Sequence, residues 1–179
     1  MAILKVARIG HPVVRAKARD LSEAEIRSAE IQRLIDDMVE TMHEYEGVGL
    51  AAPQVHTALR LAVIEVPARD ERAEDAVPLT VLLNPQVTPL GSDKLAGFEG
   101  CLSIPGLRGE VPRWARLRLE ARDREGRPYL VEAEDFLARV IQHECDHLDG
   151  GVYLDRMEGM RSLSFIEELE RHQHGSGEE

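Results

Sequence analysis

Residues 143–147 read His-Glu-Cys-Asp-His inside the stretch Asp135 to Asp149, whose spacing predicts a helix with Phe136, Val140, His143 and His147 along one side. At about 100° per residue, His143 and His147 lie roughly 40° apart and one turn separated, so both imidazoles can reach one ion. The stripe they share is otherwise apolar, and a core-facing imidazole must find a hydrogen-bond partner or a metal. A catalytic metal also needs a third protein ligand and an open position for water, so a distant residue has to be folded onto this helix. Glu144, about 100° from His143, is placed to address a water on the ion rather than to ligate it, which suits a general base. The competing reading is a solvated helix face with two ordinary histidines.

Several residues compete for the third position. Cys145 lies about 160° around the helix from His147, faces away, and reads as a buried structural thiol. Tyr153 stands where an H-E-x-x-H-x-x-G-x-x-H peptidase has its third histidine, which argues against that class. A downstream glutamate, as in thermolysin-like sites, is available at Glu158, Glu167, Glu168 or Glu170. Cys101, in Glu99-Gly100-Cys101-Leu102-Ser103-Ile104-Pro105, offers a thiolate. One thiolate and two neutral histidines leave a divalent ion near +1, still able to acidify a bound water.

With 179 residues the chain is expected to form one domain, and 43% apolar with 31% charged residues excludes collagen-like, disordered and membrane classes. No run approaches the roughly 18 apolar residues of a spanning helix. The net charge of −11 speaks against bulk attraction to nucleic acid or anionic lipid. Cys101 and Cys145 make no disulfide framework and no secretory signal is recognised, which points to a reducing cytoplasm. The basic opening segment invites comparison with a transit peptide, but it has no Ser before Ser22 and carries a Gly10-His11-Pro12 turn.

Ser22 to Tyr45 reads as helix, with Ile31, Leu34, Ile35, Met38, Val39 and Met42 on one face. Its start is either Ser22, boxed with Glu25, or Ser28, and Gly47 and Gly49 stop it. Strands are expected at 60–66 and 79–87 around a charged loop at 67–76, and a hairpin at 115–121 and 129–133. A last helix is expected over 161–171. Residues 172–179, polar and Gly-rich, read as a disordered tail, with His172 and His174 in it rather than in a metal site, so the domain is placed at 1–171. The order lacks βαβ alternation, so the expected fold is α+β: mainly antiparallel sheets packed around a central metal-binding helix, with a C-terminal helix.

Gly47-Val48-Gly49-Leu50-Ala51-Ala52-Pro53-Gln54, Glu99-Gly100-Cys101-Leu102-Ser103 and Gln142-His143-Glu144-Cys145-Asp146-His147 resemble, in order and spacing, the three motifs of the peptide deformylase family. The opening Ile3–Ala18 segment, Asn84-Pro85 and Val111-Pro112-Arg113 also match, so the resemblance covers nearly the whole chain. It implies hydrolysis of the N-formyl group from the initiator methionine of nascent polypeptides, releasing formate. Cys101, His143 and His147 would hold the metal, ferrous iron in the family with nickel, cobalt or zinc accepted. A metal-bound hydroxide would attack the formyl carbon, Glu144 would act as general base and then acid, and Gln54 with the backbone N–H of Leu102 would face the oxyanion.

By the same resemblance Val48 and Gly49 line the peptide groove, and Gly97, Phe136, Arg139 and Val140 surround the methionine pocket. Arg139 is equally readable as a helix-surface arginine, and Asp146 either pairs with Arg113 behind the ligand helix or is solvated. Cys145 replaces the family's usual aliphatic residue, a tolerable change for a small apolar side chain. Some relatives dock on the ribosome through a basic C-terminal extension; residues 161–171 carry Arg161 and Arg171 against Glu167, Glu168 and Glu170, which gives such contact little support. Neither direct nucleic-acid binding nor membrane binding is expected. The rival functions are a zinc endopeptidase and a metal-binding homologue without activity.

Overall fold

A computed structural model describes residues 2–67 and 76–173. Its helices are α1 (Glu23–Ile26), α2 (Ala29–Glu44), α3 (Asp135–Leu148) and α4 (Ile166–Gln173). Its strands are β1 (Gly49–Ala51), β2 (Leu61–Val66), β3 (Val77–Pro89), β4 (Lys94–Cys101), β5 (Ile104–Trp114), β6 (Arg116–Arg122), β7 (Pro128–Glu134) and β8 (Ser164–Phe165). A five-stranded sheet runs β1-β2-β3-β6-β7 and a three-stranded sheet runs β4-β5-β8, with every pairing between named strands antiparallel. The expected α+β class is therefore the observed one. Among the described residues no helix is long and apolar enough to cross a membrane.

Helices α2 and α3 bury different clusters of the five-stranded sheet. Ile31, Ile35, Met38 and Met42 pack with Leu61, Val63 and Leu83. Ala138, Val140 and Ile141 of α3 pack with Ile64, Leu82, Leu117 and Leu119. This explains why Leu61-Ala62-Val63-Ile64 does not alternate in sequence: successive side chains point to opposite faces and all four are buried. Full burial of side chains such as Ile35 and Met38 contributes about 1.5–3 kcal/mol each.

Both candidate helix starts are used. Ser22 and Glu25 form a capping box over the short α1, while Ser28 caps α2 through the Ile31 N–H at 3.2 Å. The helix ends at Glu44, before Gly47, and the left-handed turn that follows it falls at Glu46, φ 53°. Gly49 instead opens β1, paired with Ile64. The strand foreseen at 79–87 extends over 77–89, and the 115–121/129–133 hairpin is β6–β7. The helix expected over 161–171 is a turn, the two-residue β8 and α4. Residues 68–75 of the charged loop and 174–179 of the tail lie outside the described residues, whereas His172 and Gln173 continue α4.

The β4–β5 hairpin forms although Gly97, Gly100, Pro105, Gly106, Gly109 and Pro112 argue against strands in the sequence. Its register runs from Lys94↔Trp114 to Cys101↔Ile104, with an irregularity at Gly100 and Cys101 beside the turn. The N-terminal arm then crosses the molecule, with Ala7 N–H donating to Gln54 O at 2.7 Å, Ile9 N–H to Ser103 O at 2.9 Å and Ala18 N–H to Leu148 O at 2.8 Å.

Candidate active site

The turn between β4 and β5 delivers Cys101 to the face of α3 that carries His143 and His147. The Cys101 Sγ, His143 and His147 ligand atoms all lie within 4.8 Å of one another, and Cys101 Sγ is 3.2 Å from His147 Nε2. Among the described residues, Glu158, Glu167, Glu168 and Glu170 contribute no atom to this cluster; Glu168 pairs with Arg171 at 2.7 Å. Tyr153 is wholly buried, its ring stacked on His143 with centroids 6.4 Å apart. Cys145 packs with the core around Ile64 and Val140, and burial pushes its thiol up to about 12. It is neutral there and remote in role from Cys101.

The donor set fits a divalent ion. Burial disfavours a charged His143, but hydrogen bonds to Cys101 and Glu99 overcome it and raise its pKa well above the usual imidazole value. At His147 burial, reinforced by the His143 charge, acts the other way and holds the ring neutral. The buried Nδ1 of His147 and Oε2 of Glu144 have no hydrogen-bond partner. An ion binding here would release the proton shared between His143 and Cys101, leaving a thiolate and two neutral imidazoles gathered closely enough for a transition ion.

Glu144 is buried, and desolvation pushes its carboxyl up to about 7, against the pull of the His143 charge. That places it in the range where a carboxyl can both accept and return a proton near neutral pH. Gln54, in the 3₁₀ turn Ala52–Val55, is also buried. Its Oε1 accepts from Ala51 N–H at 2.8 Å, and its Nε2 donates to Ser103 Oγ at 3.3 Å and Cys101 Sγ at 3.5 Å. Its amide is thereby aimed at Cys101. Leu102 sits in the turn after Cys101, its side chain against the α2 core and close to Gly47.

Behind the Cys101, His143 and His147 cluster lies a buried ionic network. Glu99 accepts at Oε1 from Arg113 Nε at 2.8 Å and at Oε2 from Arg113 Nη2 at 2.9 Å, and Oε2 also meets His143 Nδ1 at 2.9 Å. Burial alone would raise the Glu99 carboxyl, but Arg113 and His143 hold it down at about 2. Arg113 Nη1 donates to Asp146 Oδ2 at 2.6 Å, and Arg156 Nη2 to Asp146 Oδ1 at 2.6 Å. Asp146 is thus paired, not solvated. In the sequence the only signal for Glu99 as the partner of His143 is its type, an acid next but one to Cys101.

The expected groove and pocket residues lie on or beside β1, β4 and α3. Val48 is exposed just before β1, its carbonyl accepting from Glu65 N–H at 3.0 Å, and Gly49 lies against Glu144. Phe136 and Val140 pack into the core with Ile64 and Leu117. Arg139 is neither a free surface residue nor a bare wall: it is folded onto β4 and β5, over Gly97.

Comparison with known proteins matches this architecture. The family model Polypeptide deformylase covers residues 3–162. Peptide deformylase 2 of Pseudomonas putida is 45% identical over 169 residues, 93% of this chain and 94% of its own length. The peptide deformylase of Leptospira biflexa serovar Patoc is 40% identical over 172 residues, 95% and 96% of the two chains. The Met-Ala-Ser-bound crystal structure of the class I type b enzyme from Acinetobacter baumannii superposes with a TM-score of 0.82 at 32% identity, covering 87% of this chain and 99% of that one. By sequence over nearly its full length, by fold and by the Cys/His/His cluster, the chain belongs to the peptide deformylase family, the metal-dependent hydrolases that take the N-formyl group off nascent polypeptides.

Proposed function

We propose that the chain deformylates N-formylmethionyl peptides at the Cys101–His143–His147 centre, as one catalytic unit spanning 1–171, in the cytoplasm. The observation that carries the reading is the convergence of these three ligands within 4.8 Å, with the buried carboxyl of Glu144 in the same helix turn. Ferrous iron is the ion of this reading, with nickel, cobalt or zinc able to substitute; when bound, it supplies Lewis acidity to the formyl carbonyl and to the attacking water.

The chain's own residues do the rest. Glu144 takes a proton from the attacking water and returns it to the departing amine, a role suited to a carboxyl that burial makes more basic than usual. The Gln54 amide, held at its carbonyl end by Ala51, and the Leu102 N–H face the formyl oxygen as charge grows there. The strands β1 and β4 are edges of their two sheets, so an extended peptide reaches backbone groups near Val48, Gly49 and Gly97 whatever its sequence. Phe136, Arg139 and Val140 flank the methionine side chain. The Met-Ala-Ser bound to the Acinetobacter relative supports a peptide product of this type. Contact with the ribosome draws little support from α4, which carries Glu167, Glu168 and Glu170.

Formate release from a short formyl-Met peptide, by anaerobically purified protein loaded with ferrous iron or nickel, tests the proposal. Rapid release that disappears in Glu144→Ala is expected. A wild type that holds stoichiometric metal and releases none would overturn it.

A further inference from the structure

We propose that Arg139 is a positioning residue for the metal ligand His143, acting through Glu99. The two residues are four apart on α3 and so stand one above the other on the same face. Both reach the same carboxylate: Arg139 Nη1 donates to Glu99 Oε1 at 2.8 Å, and His143 Nδ1 meets Glu99 Oε2 at 2.9 Å. With the Arg113 fork, each Glu99 oxygen has two partners, and the carboxylate is almost fully buried.

Arg113 lies on β5, so its hold on Glu99 joins two strands of one sheet. Arg139 comes from α3, the helix of the ligands, so its hold joins the sheet to the helix. It also donates to the main chain of both strands, to Leu95 O at 2.6 Å, Gly97 O at 3.2 Å and Val111 O at 2.9 Å. A guanidinium, with five N–H donors, serves these four acceptors, where an ammonium has only three donors. The arrangement depends on Gly97: a β-carbon there would stand 3.0 Å from Nη2 and 3.1 Å from Cζ of Arg139. Glycine at 97 and arginine at 139 are therefore matched parts of one clamp. The clamp sets the distance between β4 and α3, and with it the oxygen that orients the His143 ring.

The inference rests on the metal-ligand reading of Cys101, His143 and His147, and its test separates the two. Cobalt-loaded wild type, Arg139→Met, Arg139→Lys, Gly97→Ala and Gln142→Met are compared by visible absorption and by the rate of cobalt transfer to a chelator. Gln142 is the structural control, since it clamps α3 to β5 through Trp114 N–H and O, both at 3.0 Å, without touching Glu99. Loss of an orienting partner behind a metal-bound histidine typically costs about 10–100-fold in affinity. Arg139→Met is expected to shift the cobalt spectrum and release metal at least about 10-fold faster, with Arg139→Lys and Gly97→Ala moving in the same direction by less. Gln142→Met lowers thermal stability and leaves spectrum and release as in wild type.

Unchanged spectrum and release in folded Arg139→Met would overturn the inference, as would equal effects from Gln142→Met. If Arg139→Met does not fold, Arg139→Lys and Gly97→Ala decide it by the same readouts. A wild type that takes up no cobalt would overturn the metal-site reading itself, and the inference with it.

Discussion

Gly49 of β1 and Glu144 of α3 are in such close approach that a β-carbon on Gly49 would stand 2.8 Å from Glu144 Cδ and closer still to its Oε1. The β1 backbone is held there by its pairing with Ile64, so a side chain at 49 must displace the carboxylate, not the strand. A misplacement of about 1 Å can cost around 100-fold in rate. Gly49→Ala is therefore expected to lower kcat about 10–100-fold while metal content stays stoichiometric. Wild-type kcat in this variant would show that the position of Glu144 is not critical.

Cys101 and Cys145 should separate cleanly in a metal assay. Cys101→Ser removes the thiolate from the cluster and is expected to lose bound metal on dialysis. Cys145→Ser keeps it, and is instead less stable by about 1–3 kcal/mol because a hydroxyl replaces a thiol packed among apolar side chains. Metal retained by Cys101→Ser would point to a carboxylate ligand, and to the endopeptidase reading.

Arg113 links two buried carboxylates, those of Glu99 and Asp146. Removing one partner of a buried ion pair leaves an uncompensated charge, at a cost of about 3–5 kcal/mol. Arg113→Met is expected to lose stability of that order in urea denaturation. A loss under about 1 kcal/mol would mean that solvent or relaxation replaces the guanidinium.

The capping box of α1 predicts an acid-sensitive contribution. Glu25 accepts from Arg19 Nη2 at 2.7 Å and from Ser22 N–H at 2.8 Å, and these hold its carboxyl down at about 2, the Arg19 bond most strongly. A depressed carboxyl stabilises the fold above its unfolded pKa of about 4.3 and loses that contribution as pH falls through the folded value. The Tm difference between wild type and Glu25→Gln should be constant from neutral pH to about 5 and narrow from there towards pH 2. A difference that persists unchanged at pH 2 would contradict it.

Local rules made much of this molecule legible from its residues. His143 and His147 share a helix face because of the helical repeat, whatever surrounds them, and both Ser22 and Ser28 cap helices because each satisfies amide groups within one turn. The β6–β7 hairpin follows from alternation around Asp123–Arg127. Where local signals contradicted the global structure, the reading failed. The β4–β5 pair carries Gly and Pro because Cys101 must be presented at a turn and Gly97 must leave room for Arg139, so β propensity there yields to the site.

By itself the sequence determined that one helix carries His143 and His147 on a shared face with Glu144 between them, and the family to which the chain belongs. Only the tertiary structure decided that Glu99 orients His143, that Asp146 is paired with Arg113 and Arg156, and that Arg139 lies on β4 instead of in solvent. The reason is one of range. Helical phase and capping act within a few residues, whereas a buried charge takes its partners from strands 14 to 44 residues away, and those become neighbours only when the sheets close on α3.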